Sequence, residues 1–241
     1  MNKFLQIFVL VCFIGVSGLN AQKINDPNVE MRTLNGSFHA IEVSNAVDLY
    51  LSQSDEEALA VSASEPKYRD RIKASIENGV LKIWYDNNDE KLWGGSNKKL
   101  KAYISFKNLD RLQARGASDI YTEGSIKSNE LNIKLSGASD FIGSIFANQL
   151  TVDISGASDM KLKSGKVTKL TVEASGASDF RGYDLIADDC SADASGASSI
   201  YITVNNELSV HASGASDVYY KGSGKIRDIK SNGASSVGRK S

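Results

Sequence analysis

Cysteine is almost missing from this 241-residue chain, and its two copies, Cys12 and Cys190, lie far apart. Cys12 falls in an N-terminal apolar run that is expected to be removed, so Cys190 is left without an intrachain partner and stability must come from packing. Proline is equally scarce. Pro27 and Pro66 are the only two, which leaves long stretches free to form sheet ladders. The two histidines, His39 and His211, are far apart and have no cysteine partners, so there is no zinc signature. Neither charge sign dominates: 28 basic residues stand against 29 acidic ones, which gives no electrostatic reason to expect nucleic acid or an anionic membrane as partner. Neither a phosphate loop nor a nucleophile elbow occurs, and no cofactor is expected.

The one long apolar run, Phe4 to Val16 behind Lys3, is too short to span a bilayer comfortably and has the length of a signal core. Residues 1–21 therefore read as a signal peptide cleaved after Ala21, which would send the protein to the periplasm, the cell surface or the medium. Val11 before Cys12 is not the small residue that a lipoprotein anchor favours. About 220 residues remain, long enough for a full core.

What the chain does have is a repeat. Gly-Ala-Ser followed by Asp or Ser occurs seven times, beginning at Gly116, Gly137, Gly156, Gly176, Gly196, Gly214 and Gly233, at intervals of 18 to 21 residues. A fixed period of this size marks a solenoid, whose repeats bury their apolar faces by stacking on one another. In one copy Leu150, Val152 and Ile154 alternate with Thr151, Asp153 and Ser155, and after the turn Met160 and Leu162 alternate with Lys161 and Lys163. That is the period of half-buried strands. With no hairpin turn between copies, the chain must coil so that equivalent strands lie parallel. The expected fold is all-β, a right-handed parallel β-helix with rungs of about 20 residues, the hand following from the general crossover preference. The corner glycine is expected at positive φ, and Asn45 fills that place in a weaker eighth copy, Ile41 to Leu51.

Residues 22–110 read as β-rich rungs holding an irregular capping insertion, 53–97, and residues 111–241 as the regular rungs of the same domain. Within the insertion, Pro66 to Arg71 suggests a helical turn or two, Asn78-Gly79 a hairpin turn, and Asp86 to Gly95 a loop.

Stacking would place Asp119, Asp140, Asp159 and Asp179 in a column, where charges about 5 Å apart repel by roughly 1 kcal/mol even in water. Calcium could relieve them, as in other Gly-Asp β-rolls, or each carboxylate could accept turn N–H groups. Ser199 and Ser236 replace Asp without disturbing the rest of the turn, which favours the structural reading. Asp153, Glu173 and Asp193 form a second, outward column flanked by Lys134 and His211. Their spacing matches a retaining glycosidase pair, but any in-register ladder produces it, and a solvated face is the plainer account. Cys190 takes the place of Leu150, Leu170 and Leu208 and reads as a core thiol. Two places after Asp, the outward series Tyr50, Tyr121, Ile142, Lys161, Arg181, Tyr201 and Tyr219 resembles surfaces that bind partners or sugars, or else a ladder that stiffens the sheet. Trp93 is the best single candidate for an exposed aromatic in a loop.

The leading segment, the Ser-Gly-Ala-Ser-Asp turns and the irregular N-terminal part, over roughly residues 35 to 238, resemble the auto-transporter adhesin family with the head GIN domain. That resemblance implies a right-handed β-helix shaped like a pectin lyase without the lyase's catalytic residues, and a role in cell adhesion. The function expected is a secreted or surface non-catalytic adhesin-like module that binds a protein or polysaccharide surface ligand. The alternatives are a carbohydrate-active enzyme, whose site would have to include Asp86, Asp89, Glu90 and Trp93, and a calcium-stabilised structural protein. The short last rung leaves an edge through which copies could associate.

Overall fold

A computed structural model describes residues 26–87 and 97–240. The expected signal segment and Asp89, Glu90 and Trp93 lie outside the described residues. The N-terminal elements are β1 (Glu30–Arg32), β2 (Ala40–Val43), β3 (Asp48–Gln53), β4 (Ala58–Ser62), α1 (Pro66–Arg69), β5 (Ile72–Glu77), β6 (Val80–Tyr85), β7 (Lys101–Phe106) and β8 (Arg111–Gly116). The long strands follow: β9 (Ile120–Gly137), β10 (Phe141–Ile154), β11 (Asp159–Ala174), β12 (Asp179–Ala194) and β13 (Ser199–Ala212). The chain closes with β14 (Asp217–Lys221), β15 (Lys225–Ser231) and β16 (Ser236–Arg239).

Every pairing from β8 onward is parallel, and the corner glycines stand in register, with Gly116 opposite Gly137. The fold is a parallel β-solenoid. Each full rung has a strand before the Gly-Ala-Ser turn, a strand after it, and a connector side that returns the chain. Rungs differ in length, and bulges just after the post-turn strand absorb the difference, as between Gly143 and Ser144 and between Gly182 and Ile186. Inside, Ile120, Phe141, Met160, Phe180, Ile200 and Val218 form a fully buried column, one per rung. Each such side chain contributes roughly 1.5–3 kcal/mol relative to exposure.

The turn is where the repeat is most constrained. Gly176 has φ +77°, and a Cβ there would lie 2.6 Å from the carbonyl oxygen of Gly156. The rungs approach this closely because the N–H of Ala177 donates to Gly156 O at 2.8 Å, and Ala157, Ala197 and Ala215 repeat the bond one rung apart. Glycine is thus required twice over, for its dihedral and for its missing side chain. Asn45 adopts φ 61° as expected, but Ala46 beside it also turns left-handed, at φ 60°. The serine of each turn points inward: Ser139, Ser158, Ser178, Ser198 and Ser216 are buried. Ser178, Ser198 and Ser216 donate to carbonyls of their own rung, at Ser175, Ser195 and Ser213.

The N-terminal part departs from simple chain order. The ladder before the turn runs β6–β2–β8–β9, and the ladder after it runs β4–β7–β3–β9. So β6 and β7 form a rung of their own outside β2 and β3, within and just after a segment that the sequence suggested was only a cap. Beyond that rung the end is closed by antiparallel strands. The β5–β6 hairpin turns through Asn78 and Gly79, both left-handed, and β4 and β1 pair antiparallel on the other face. Helix α1 adds Arg69, whose guanidinium lies 2.7 Å from Glu30.

Candidate functional site

The outward positions of the post-turn strands form one stripe along the solenoid. In register they read Tyr103, Tyr50, Tyr121, Ile142, Lys161, Arg181, Tyr201, Tyr219 and Gly238. Tyr50 stacks on Tyr103 at 5.1 Å and on Tyr121 at 5.3 Å between ring centroids, with planes 26° and 22° apart. Rings stacked along the axis cover each other's faces and present their edges and hydroxyls to solvent. The hydroxyls are engaged as well: Tyr103 donates to Asp26 at 3.2 Å and Tyr121 to Asp119 at 3.3 Å. Burial, then the charge and hydrogen bond of the adjacent aspartate, push both phenols up to about 12.

At the far end Tyr201 stacks on Tyr219 at 5.7 Å and takes the edge of Tyr183 at 5.4 Å. Lys240 sits 4.2 Å over Tyr219 and Lys221 4.8 Å over Tyr183. Such cation–ring contacts contribute about 0.5–1 kcal/mol each at exposed sites. Between the two aromatic groups lie Ile142, Lys161 and Arg181, the last two exposed. The structure therefore brings Tyr50 to Tyr121 and Tyr201 to Tyr219, with Arg181 in between.

Beside the stripe runs the aspartate column. Asp119 N–H donates to Asp48 Oδ1, Asp140 N–H to Asp119 Oδ1, Asp159 N–H to Asp140 Oδ1 and Asp179 N–H to Asp159 Oδ1, at 3.0–3.2 Å. Arg181 closes the series, 2.7 Å from Asp179 and 3.3 Å from Asp159. Burial raises Asp48 and Asp159 above the usual carboxylate range; charge from Asp119 adds to it at Asp48, and Arg181 opposes it at Asp159. Among the described residues no three His, Cys, Asp or Glu side chains are grouped to hold a metal ion.

On the pre-turn face, Glu42, Gln113, Lys134, Asp153, Glu173, Asp193, His211 and Lys230 follow one another in register. Lys134 pairs with Asp153, and His211 lies 3.9 Å from Asp193 and 3.2 Å from Asp228. The three acids thus lie in one ladder between Lys134 and His211. Asp86 sits just past β6, its N–H donating to Arg71 O at 3.0 Å.

The family described as putative auto-transporter adhesin, head GIN domain, matches residues 37–224. The chain belongs to this family. Solved structures share the fold of this head GIN chain. A putative adhesin from Bacteroides fragilis NCTC 9343 superposes with a TM-score of 0.78 at 21% identity, over 89% of this chain and 98% of that one. A putative adhesin from Parabacteroides distasonis ATCC 8503 gives 0.68 at 15%, over 88% and 97%. A putative lipid binding protein from the same strain gives 0.64 at 18%, over 90% and 98%. Comparison with curated proteins gives no match.

One member of the head GIN stripe, and one tyrosine that packs beside it, are not visible in the repeat. Tyr103 belongs to Lys101-Ala-Tyr-Ile-Ser-Phe106, whose alternation copies Asp48-Leu-Tyr-Leu-Ser-Gln53 without the turn motif before it. Tyr183 enters from the bulge after Gly182, and nothing local signals it. Cys190 stands in register with Leu170 and Leu208, 5% exposed, and burial pushes its thiol up to about 12.

Proposed function

We propose that this head GIN domain is a non-catalytic, adhesin-like binding module, exported by its first 21 residues and presented at the cell surface or in the medium. The observation that carries the reading is the stripe itself: one outward side chain per rung, repeating at the strand spacing, with a cationic middle flanked by stacked tyrosines. A linear site of this kind suits an elongated ligand, a protein segment or a polysaccharide, lying along the solenoid axis. The ligand meets the exposed ammonium of Lys161, the guanidinium of Arg181 and the ring edges of Tyr50, Tyr121, Tyr201 and Tyr219. Trp93 belongs to the proposal as a further contact.

The test is an array of polysaccharides and matrix proteins probed with the protein and with a Lys161→Ala/Arg181→Ala/Tyr201→Ala variant. Binding to at least one class, weakened at least about tenfold in the variant at unchanged melting temperature, is the expected result. Undiminished binding by the variant would move the site elsewhere, and cleavage of any arrayed polysaccharide would replace the module with an enzyme.

A further inference from the structure

The two ends of the solenoid are finished differently. At the N-terminal end β1, β4, β5 and α1 close the ladder. At the other end β15 and β16 carry the last rung, and among the described residues nothing pairs with their outer edges. Side chains that continue the core columns are left open there. Ile226 is 49% and Ile229 38% exposed, whereas their in-register neighbours Leu208 and Val210 are 1% and 0% exposed. A bulge opposite Leu208 and Ser209 inserts Arg227, which lets both isoleucines face inward although they are three residues apart. An unpaired strand edge backed by open core residues is a template for another strand.

We infer that this end is closed by a second copy of the chain, related by a two-fold axis that pairs β15 antiparallel with β15 of the second copy. The segment Lys225-Ile-Arg-Asp-Ile-Lys230 is complementary to itself when reversed. With the axis between Arg227 and Asp228, each Ile226 opposes Ile229 of the second copy, and each Arg227 opposes Asp228 of the second copy. Every such pair occurs twice, as a two-fold interface demands. The isoleucines lie on the core side, so the two cores join into one.

Both charged residues already have partners: Arg227 pairs with Glu207 at 3.5 Å, and Asp228 pairs with Lys230 at 3.2 Å and shares a hydrogen bond with His211 at 3.2 Å. The cross-pairs would therefore join a network rather than stand alone. Lys225 and Lys230 oppose each other at the fringe, where their long stems let the ammonium groups separate into solvent. The inference is independent of what the flat faces bind. It adds one consequence for that binding: two stripes on one particle engage a polymeric ligand with raised avidity.

Sedimentation velocity from low to high micromolar concentration tests it. The parent protein is expected to be a dimer. Arg227→Asp and Asp228→Arg, each alone, place like charges opposite each other and are expected to weaken association at least about tenfold. Mixed in equal amounts they restore opposite charges at both pairs and are expected to recover the dimer, which neither a misfolded nor a merely destabilised variant would do. Ile229→Ser, read with circular dichroism to confirm the fold, is an independent arm expected to weaken the dimer without unfolding the chain. A parent that stays monomeric throughout, or grows into longer polymers, overturns the inference. So does a mixture of the two charge variants that stays monomeric.

Discussion

The carboxylate of Asp140 accepts the backbone N–H of Asp159, one rung further along, at 3.0 Å. The same bond links Asp48 to Asp119, Asp119 to Asp140 and Asp159 to Asp179. The column is thus a series of like charges and a series of backbone acceptors at once. From Asp48 to Asp159, one carboxylate oxygen per rung is committed to holding the next turn. An amide oxygen or a main-chain carbonyl can serve the same purpose: from Ser199 onward the N–H goes to a carbonyl of the preceding turn, Ser199 to Ser178 O at 3.0 Å and Asp217 to Ser198 O at 2.9 Å.

A chelator should therefore leave the protein's stability alone. The melting temperature is expected to change by less than about 2 °C on adding EDTA or calcium, under 1 kcal/mol for a domain of this size. A sharp drop on chelation would make calcium the element that balances the column.

Asp48→Asn keeps an oxygen for the N–H of Asp119 and removes a charge that burial and Asp119 disfavour. Because the folded state raises the pKa of Asp48, its ionisation costs stability as pH rises through the carboxylate range and costs nothing below the unfolded value. The variant should melt higher than the parent at pH 7, and the difference should close as the pH is lowered. Equal melting curves at neutral pH would show that Lys101 already compensates the charge in full.

Glycine at the corner is needed for two reasons, and two substitutions separate them. Gly124 has φ +73° with nothing within 4 Å of a built Cβ, so Gly124→Ala carries only the dihedral cost, about 1–2 kcal/mol. Gly176→Ala adds contact with the carbonyl of Gly156 and should cost about 3 kcal/mol or more in denaturant unfolding. Equal losses at the two positions would refute the close-approach argument.

The buried serines should not respond alike. Ser198 shares its proton between Ser195 O at 2.9 Å and Ala174 O at 3.0 Å, and Ser198→Ala should cost about 1 kcal/mol. Ser118 has Val47 where the preceding rung would carry a serine, and its hydroxyl finds no partner among the described residues. Ser118→Ala is expected to be neutral or stabilising by up to about 1 kcal/mol. Chemical unfolding of both variants decides the matter.

The regular rungs were legible because their information is local and repeated. The strand period around Leu150 and Met160 and the fixed distance between glycines leave a coiled parallel ladder as the arrangement that buries every apolar column. The place of β6 and β7 was not legible, since neither strand is joined by a Gly-Ala-Ser turn and their position outside β2 and β3 depends on long-range pairing. The repeat lines up the residues of the stripe but does not show their contacts. Nothing in the positions of Tyr50 and Tyr121 reveals that their rings lie flat on each other, or that Asp26 reaches Tyr103 from a distant part of the chain. The inward serines were hidden for a related reason: a residue written next to Gly and Ala in a turn reads as exposed, and only the stacking of corners takes it out of water.

Because β2 and β3 are sandwiched between β6 and β7 on one side and β8 and β9 on the other, the earliest-synthesised rung cannot be finished first. As the polypeptide emerges, residues 40–53 must wait for both of their neighbours, the second of which needs the chain as far as Glu123. A crossing through a narrow pore would release a chain whose leading third stays unsettled until its middle arrives.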